Sequence, residues 1–330
     1  MDPGTAGRLG ERRGAAPVNA APPNSRLAIE AAGLRFQNPI LLAAGTAAYG
    51  RELRDVVELD RLGGLVTKAV SPRPRDGAPA PRVAEFSGGM INAVGLANPG
   101  MAVVRESELP WLASHIERAR VLVNVVGDVA DDFAAVVAHL DDAEGLHGFE
   151  LNVSCPNVKA GGMEFGADPD TLRDVVSRAR KATRKPVFVK LSPTLVDIAR
   201  TASVAVDAGA DGITVVNTIP GLMVDLETRR PVLGFGSGGV SGVSLLPVGV
   251  LAAWRVARAV KAPVIGVGGV TSAEDALQYL VAGASLVALG TASMRDPRVA
   301  ERVVHGLEHW CEQHAVRSIR EVIGTLEWKQ

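Results

Sequence analysis

From Leu27 onward, short apolar runs alternate with stretches of helical period. The runs Ile40–Ala44, Gly64–Lys68, Val121–Val125, Gly148–Asn152, Val187–Lys190, Gly212–Asn217, Val264–Gly266 and Leu286–Gly290 predict strands. Most are continuous in Val, Ile and Leu rather than alternating, as expected for parallel strands covered on both faces. Helices are predicted over Asp55–Leu62, Val129–Leu140, Pro169–Ala182, Leu195–Ala208, Leu246–Val260, Ala273–Ala282 and Pro297–Gln313. Two of them end in Ala-Gly-Ala, at Ala208-Gly209-Ala210 and Ala282-Gly283-Ala284, where glycine suits a left-handed helix cap. Eight strands with mostly helical connections predict an α/β fold, a (β/α)8 TIM barrel. A doubly wound sheet stays open, because periodicity alone does not close a barrel. Residues 69–120 and 218–245 are long connections that follow strands, so they are βα insertions over the C-terminal mouth, where lids and substrate loops form. Residues 1–25, rich in Ala, Gly, Pro and Arg without apolar period, read as a disordered tail, and 26–330 as one catalytic barrel domain.

Composition narrows the function. Lys and Arg number 35 against 36 Asp and Glu, a net charge of -1, which argues against a general nucleic-acid binder. Aromatic residues at 4% leave little for base-stacking platforms. The two cysteines, Cys155 and Cys311, supply neither a disulfide framework nor a self-contained iron–sulfur cluster, and the six histidines have no metal-ligand spacing. The charge-free run from Pro231 to Trp254 contains glycines and prolines and reads as loop and helix start, not as a membrane span. No apolar signal core is visible, so the expected location is cytoplasmic. Arg8, Arg12 and Arg13 faintly resemble a transit peptide, a reading that Asp2 and Glu11 weaken.

Polar or small residues recur at the C-terminal strand ends: Ala44-Gly45, Lys68, Asn124, Asn152, Lys190, Asn217, Gly268-Gly269 and Gly290-Thr291. One such residue is ordinarily a solvated turn. The whole set converging on a barrel mouth points to a pocket. Gly266-Val267-Gly268-Gly269 and Gly290-Thr291 follow strands seven and eight, where barrels hold phosphate on backbone N–H groups. Gly234–Gly239 is also glycine-rich but lacks the strand–turn–helix setting of a dinucleotide fingerprint, and reads as a mobile loop, with Gly242 beyond it free to approach a ligand. Cys155, three residues after Asn152, is either a small packed residue or a base or nucleophile. Cys311, beside Trp310, reads as packing, and His305, His309 and His314 as helix surface.

Four segments together resemble dihydroorotate dehydrogenase: Asn92-Ala93-Val94-Gly95-Leu96, Asn152-Val153-Ser154-Cys155-Pro156-Asn157-Val158, Asn217-Thr218 and Gly266-Val267-Gly268-Gly269. The resemblance runs from about Leu27 to Ile323, in order. A cysteine in the Ser-Cys-Pro-Asn loop is similar to the soluble class 1. Pro81-Arg82-Val83-Ala84-Glu85, Lys159-Ala160-Gly161-Gly162 and Asn217-Thr218 look like subclass 1B, the NAD-linked catalytic subunit. The resemblance implies oxidation of dihydroorotate to orotate in pyrimidine (UMP) biosynthesis, with one FMN per chain and Cys155 as general base. It implies Lys68, Asn92 to Leu96 (Ala93, Val94 and Gly95 between), Asn152, Asn217 and Thr218 at the substrate. At the flavin it implies Ala44, Lys68, Ala69, Asn124, Asn152, Lys190 and Val216, with Gly242, Gly268, Gly269, Gly290 and Thr291 around the phosphate. It further implies a homodimer and a separate electron-transfer subunit carrying FAD and an iron–sulfur cluster, together a heterotetramer, with no metal in this chain. Ala44 departs from the serine common in the family, and Thr46–Gly50 from its aromatic, glycine-rich pattern. Two other readings stay open. One is another FMN barrel acting on pyrimidines, such as the pyrimidine-reducing domain of dihydropyrimidine dehydrogenase. The other is a non-catalytic phosphate-binding barrel, which has no use for Cys155, Lys68 and Lys190 together.

Overall fold

The apolar runs close into one ring. In the computed structural model, which describes residues 25–154, 156–157 and 163–328, eight parallel strands form a closed barrel in chain order. They are β1 (Ile40–Leu42), β2 (Gly64–Val66), β3 (Arg120–Val125), β4 (Gly148–Asn152), β5 (Val187–Leu191), β6 (Gly212–Val215), β7 (Val264–Val267) and β8 (Leu286–Leu289). β8 pairs in parallel with β1, which removes the last open edge and excludes the doubly wound sheet. Alternation within each strand decides which face a residue serves. Leu41, Val66, Leu122, Phe188, Ile265 and Leu286 fill the barrel interior. Leu42, Leu65, Val123, Leu151, Val189 and Ile213 pack outward in the shell of helices. Gly212 accommodates this filling, since a Cβ there would lie 2.3 Å from the Phe188 ring. An antiparallel hairpin, Ile29–Ala31 with Leu34–Phe36, joins the interior cluster through Ile29, Ala31 and Phe36. It leads into the start of β1, so it stoppers the N-terminal end and leaves the other end for chemistry.

Among the described residues, seven longer helices surround the ring: α1 (Leu109–His115), α2 (Ala130–Leu140), α3 (Pro169–Lys181), α4 (Ile198–Asp207), α5 (Leu246–Ala259), α6 (Ala273–Ala282) and α7 (Val299–Gln313). Their starts are specified locally. Asp168, Asp197 and Ser272 each accept a backbone N–H from the first turn of α3, α4 and α6. α3 buries Leu172, Val175, Val176 and Ala179, a single stripe at helical spacing. Gly283 ends α6 at φ +110°, and Gly209, just past α4, has the same φ, as the two Ala-Gly-Ala segments predict.

Two expectations need correction. Asp55–Leu62 is not an α-helix but a run of turns that ends in a short 3-10 helix, Leu59–Arg61. Asp60 there spends its carboxylate on the N–H groups of Glu117, Arg118 and Ala119, which ties the segment across to the start of β3. The long insertions are not loose loops. Val83–Phe86 and Gly89–Asn92 from the first pair with Gly238–Ser241 and Ile219–Gly221 from the second, as one four-stranded antiparallel sheet. The glycine-rich stretch therefore ends in a strand, and the bond of that sheet to both insertions fixes it beside the mouth. The expected tail falls outside the described residues except for Ser25.

His147, just before β4, gives this end of the barrel a pH dependence. Its Nδ1 accepts the Val121 N–H at 3.1 Å, and Arg120 Nη1 lies 3.1 Å from Nε2. Burial, then the charges of Arg120 and Lys185, push its pKa from 6.5 down to about 4. Above about 6.5 the imidazole is neutral in folded and unfolded chains alike. Between about 6.5 and 4 only the unfolded chain takes up the proton, so stability falls with falling pH, by ~1–3 kcal/mol at this site. Urea unfolding at pH 7.5 and 4.5 should show His147→Gln losing less stability than the parent across that interval. Equal losses would assign the effect elsewhere.

Candidate active site

The upper half of the barrel interior is polar. Asn124 of β3 stands opposite Glu150 of β4, Asn152 opposite Lys190 of β5, and Lys190 opposite Thr214 of β6. Being an even number of residues from Leu122 and Phe188, Asn124 and Lys190 share the inward face with those two core residues. Glu150 is 1% exposed and Lys190 6%. Glu150 Oε1 accepts Asn124 Nδ2 at 2.7 Å and lies 3.9 Å from Lys190 Nζ. Two buried atoms of this layer, Asn124 Oδ1 and Thr214 Oγ1, have no hydrogen-bond partner. Unsatisfied buried polar atoms are costly, and their concentration beneath an open mouth is what a ligand site leaves behind. Reasoning from strand ends misses Glu150. Its signal is a lone acid inside an otherwise apolar strand run, two residues before Asn152.

Above this layer a second network joins the three asparagine segments. Ser154 Oγ donates to Asn152 Oδ1 at 2.7 Å, Asn217 Nδ2 donates to Ser154 Oγ at 2.5 Å, and Asn217 Oδ1 accepts the Thr218 N–H at 2.8 Å. Asn92 Nδ2 donates to the Gly239 carbonyl at 3.2 Å. Gly239 itself leaves the space that Thr218 occupies, since a Cβ there would meet Thr218 Oγ1 at 2.0 Å. Asn92, Asn152, Asn217 and Thr218 are thus brought to one place by β4, β6 and the sheet over the mouth. Ser154, buried between two of them, is the linking residue that the sequence motif contains but does not single out.

The glycine turns converge as well. Gly268 (φ +125°) and Gly269 (φ +75°) follow β7 in backbone conformations that favour glycine, and Gly269 packs on the backbone of Leu246. Gly242 (φ +115°) sits against Gly89, where a Cβ would come within 2.5 Å of the Gly89 Cα. Thr291 Oγ1 donates to Ser241 Oγ at 2.8 Å, which brings the end of β8 to the residue before Gly242. Tyr279, buried on α6, locks the turn from below: its hydroxyl donates to the Gly268 carbonyl at 2.8 Å, and Gly249 and Gly266 lack the Cβ atoms that would strike it. Gly266 therefore serves packing.

Comparison with known proteins fits this arrangement to a family. The model of the dihydroorotate dehydrogenase family matches residues 26–311. The chain belongs to the dihydroorotate dehydrogenase family. It is 43% identical over 301 residues to the dihydroorotate dehydrogenase B (NAD(+)) catalytic subunit of Pelobacter propionicus, covering 91% of this chain and 98% of that one. The proteins of the same description from Geotalea uraniireducens and Geobacter sulfurreducens are 42% and 41% identical over the same shares.

The remaining described residues that the dihydroorotate dehydrogenase resemblance places at the substrate or flavin fall around the same mouth. Lys68 and Ala69 directly follow β2, and the Lys68 N–H donates to the Ala48 carbonyl. Tyr49 donates to the Ala69 carbonyl at 3.3 Å, so the atypical Thr46–Gly50 segment is tied beneath it. Ala44 follows β1, and Val216 is buried after β6. Ala93, Val94, Gly95 and Leu96 form a turn that is held by the Arg82 carbonyl and Ala78 N–H, with Gly95 and Leu96 both at positive φ. Asn98, which the sequence reading passes over, anchors it by accepting the Ser71 and Gly100 N–H groups. Cys155 and the Lys159–Gly162 segment lie outside the described residues. The family implies FMN, and the described residues fit one. The orphaned Asn124 Oδ1 and Thr214 Oγ1 await polar partners, and the glycine turns bring bare backbone together after β7 and β8, in positive-φ conformations at Gly242, Gly268 and Gly269. Among the described residues, no group of three or more His, Cys, Asp or Glu could hold a metal ion.

Proposed function

We propose that this chain is the catalytic subunit of an NAD-linked dihydroorotate dehydrogenase, oxidising dihydroorotate to orotate in de novo pyrimidine biosynthesis. The observation that carries the reading is the junction, at one barrel mouth, of an amide network, a buried polar layer with a Lys190–Glu150 ion pair, and a glycine cradle. Amides suit a pyrimidine, because each offers a donor and an acceptor to a ring edge that has both. Asn92, Asn152, Asn217 and Thr218 hold the substrate, and Ser154 keeps Asn152 and Asn217 in register. Lys68 and Lys190 supply positive charge where negative charge develops. Gly242, Gly268, Gly269, Gly290 and Thr291 bring backbone groups close to a phosphate. Bound FMN supplies the hydride acceptor. Cys155 Sγ takes the proton from the neighbouring carbon, so dihydroorotate leaves as orotate two electrons and two protons poorer. Residues 26–330 serve as one catalytic domain.

The reading extends to partners. The electrons pass to a second subunit that carries FAD and an iron–sulfur cluster, and two copies of each chain assemble as a heterotetramer around a catalytic homodimer. No helix among the described residues is long and apolar enough to cross a membrane, in keeping with action in the cytoplasm.

Anaerobic dihydroorotate should bleach the visible absorption of the purified, FMN-loaded chain. A protein that stays colourless after FMN is added would remove the reading. Gly268→Ala tests the cradle: a Cβ there meets nothing closer than 3.4 Å, so the cost to folding is backbone strain of ~1–2 kcal/mol. The expected result is a folded protein that binds FMN at least about tenfold more weakly. Parent-like affinity by fluorescence titration would take Gly268 out of the site.

A further inference from the structure

Glu150 is a fully buried acid with no part in the mechanism above. It sits inside the barrel between two residues that the FMN reading uses, Asn124 and Lys190. A buried charge persists where it is paired and hydrogen-bonded, and one oxygen here receives both an amide hydrogen and the lysine's attraction. Two consequences follow from elementary chemistry. An ionised carboxylate only accepts, so the Asn124 amide must turn its Nδ2 toward Glu150. That turn leaves Asn124 Oδ1 facing away as an acceptor, and Oδ1 is one of the orphaned atoms. The second consequence is electrostatic. Lys68 forms no ion pair among the described residues, whereas the charge of Lys190 is offset by Glu150.

We propose that Glu150 is a positioning residue of the flavin site: it fixes Asn124 Oδ1 as an acceptor for an N–H edge of the cofactor and offsets Lys190, holding down the preference of the site for reduced over oxidised flavin. The inference rests on the FMN reading. It assigns the carboxylate a restraining role. A bare buried lysine at the mouth would stabilise reduced flavin more strongly and so slow the onward passage of its electrons.

The test is the ratio of affinities for reduced and oxidised FMN, read from the midpoint potential of the loaded chain equilibrated with a dye of known potential. Each tenfold change in that ratio moves a two-electron potential by about 30 mV. Glu150→Gln keeps an acceptor for Asn124 and removes the charge, so the ratio should rise by at least about tenfold at pH 7. Lys190→Met should lower it. Glu150→Gln combined with Lys190→Met, which leaves no unpaired buried charge, should return it to within about threefold of the parent and serves if Glu150→Gln alone does not fold. A purely structural role would weaken both redox states equally and leave the ratio unmoved. A ratio unchanged or lowered in Glu150→Gln, or a double variant no closer to the parent than Lys190→Met, overturns the proposal. If the parent chain binds no FMN at all, it is the functional reading that fails, and this inference with it.

Discussion

Cys155→Ala should retain its flavin and lose turnover by about 10²–10⁴-fold, the usual cost of deleting a general base. The two effects separate because the groups that hold the cofactor belong to other parts of the chain. The glycine turns follow β7 and precede α5, and the polar layer belongs to β3, β4 and β5, all within the described residues. A thiol with an unperturbed pKa near 8.5 is only partly thiolate at pH 7, so the parent rate of flavin reduction should climb as pH rises toward 8.5. Cys155→Ser should keep a small activity displaced to higher pH, because a hydroxyl parts with its proton less readily. Cys311 is the internal control. It is fully buried on α7, and burial pushes its thiol pKa up, so a mild alkylating agent should mark Cys155 and spare Cys311. Stopped-flow reduction by dihydroorotate under anaerobic conditions reads the rate, and the absorption spectrum reads the flavin content. A Cys155→Ala protein reduced at the parent rate would move the base to another residue.

The barrel was legible because its strands are covered on both faces and so read as unbroken apolar runs. Gly148–Asn152 and Ala273–Ala282 match the structure at both ends. Legibility fails where the determinants are not local. The Asp55–Leu62 segment has helical composition, but Asp60 is committed to three N–H groups nearly sixty residues away. The long connection 69–120 also holds a helical run that its reading as an insertion leaves out, Met101–His115, with Pro110 in its interior. A wider turn over Val104–Glu108 precedes the proline, which relieves the clash and the missing N–H that proline imposes on a regular helix. The sheet over the mouth pairs segments some 150 residues apart, and its glycines look like loop until Thr218 is seen to need the space at Gly239. The site divides in the same way. Residues at strand ends announce themselves because the fold makes that position chemical. Glu150, one layer deeper, carries no such marker, and only its contacts with Asn124 and Lys190 give it meaning.

Reduced flavin in the isolated chain should react with NAD negligibly, and rapid NAD reduction should appear only when an electron-transfer subunit is added. Gly234–Gly239 has the glycine spacing of a dinucleotide-binding turn, yet its setting forbids that use. The fingerprint needs a strand, a tight turn and a helix whose N-terminus receives the pyrophosphate. Here the glycines run into the antiparallel strand Gly238–Ser241, with Gly238 paired to Gly221 and Gly239 paired between Pro220 and Asn92. The space beside them is taken by Thr218 and Asn92, the residues proposed to hold the pyrimidine. Two cysteines are too few for an iron–sulfur cluster within the chain, so on the proposed reading the relay to NAD is brought by a partner. Mixing the dihydroorotate-reduced chain with NAD in a stopped-flow instrument, with and without the partner subunit, measures the difference directly. Fast reoxidation by NAD alone would require a nucleotide site on this barrel and sink the two-subunit assignment. Fast reoxidation by fumarate would move the chain to the related subclass 1A, which the resemblance links to a small acceptor.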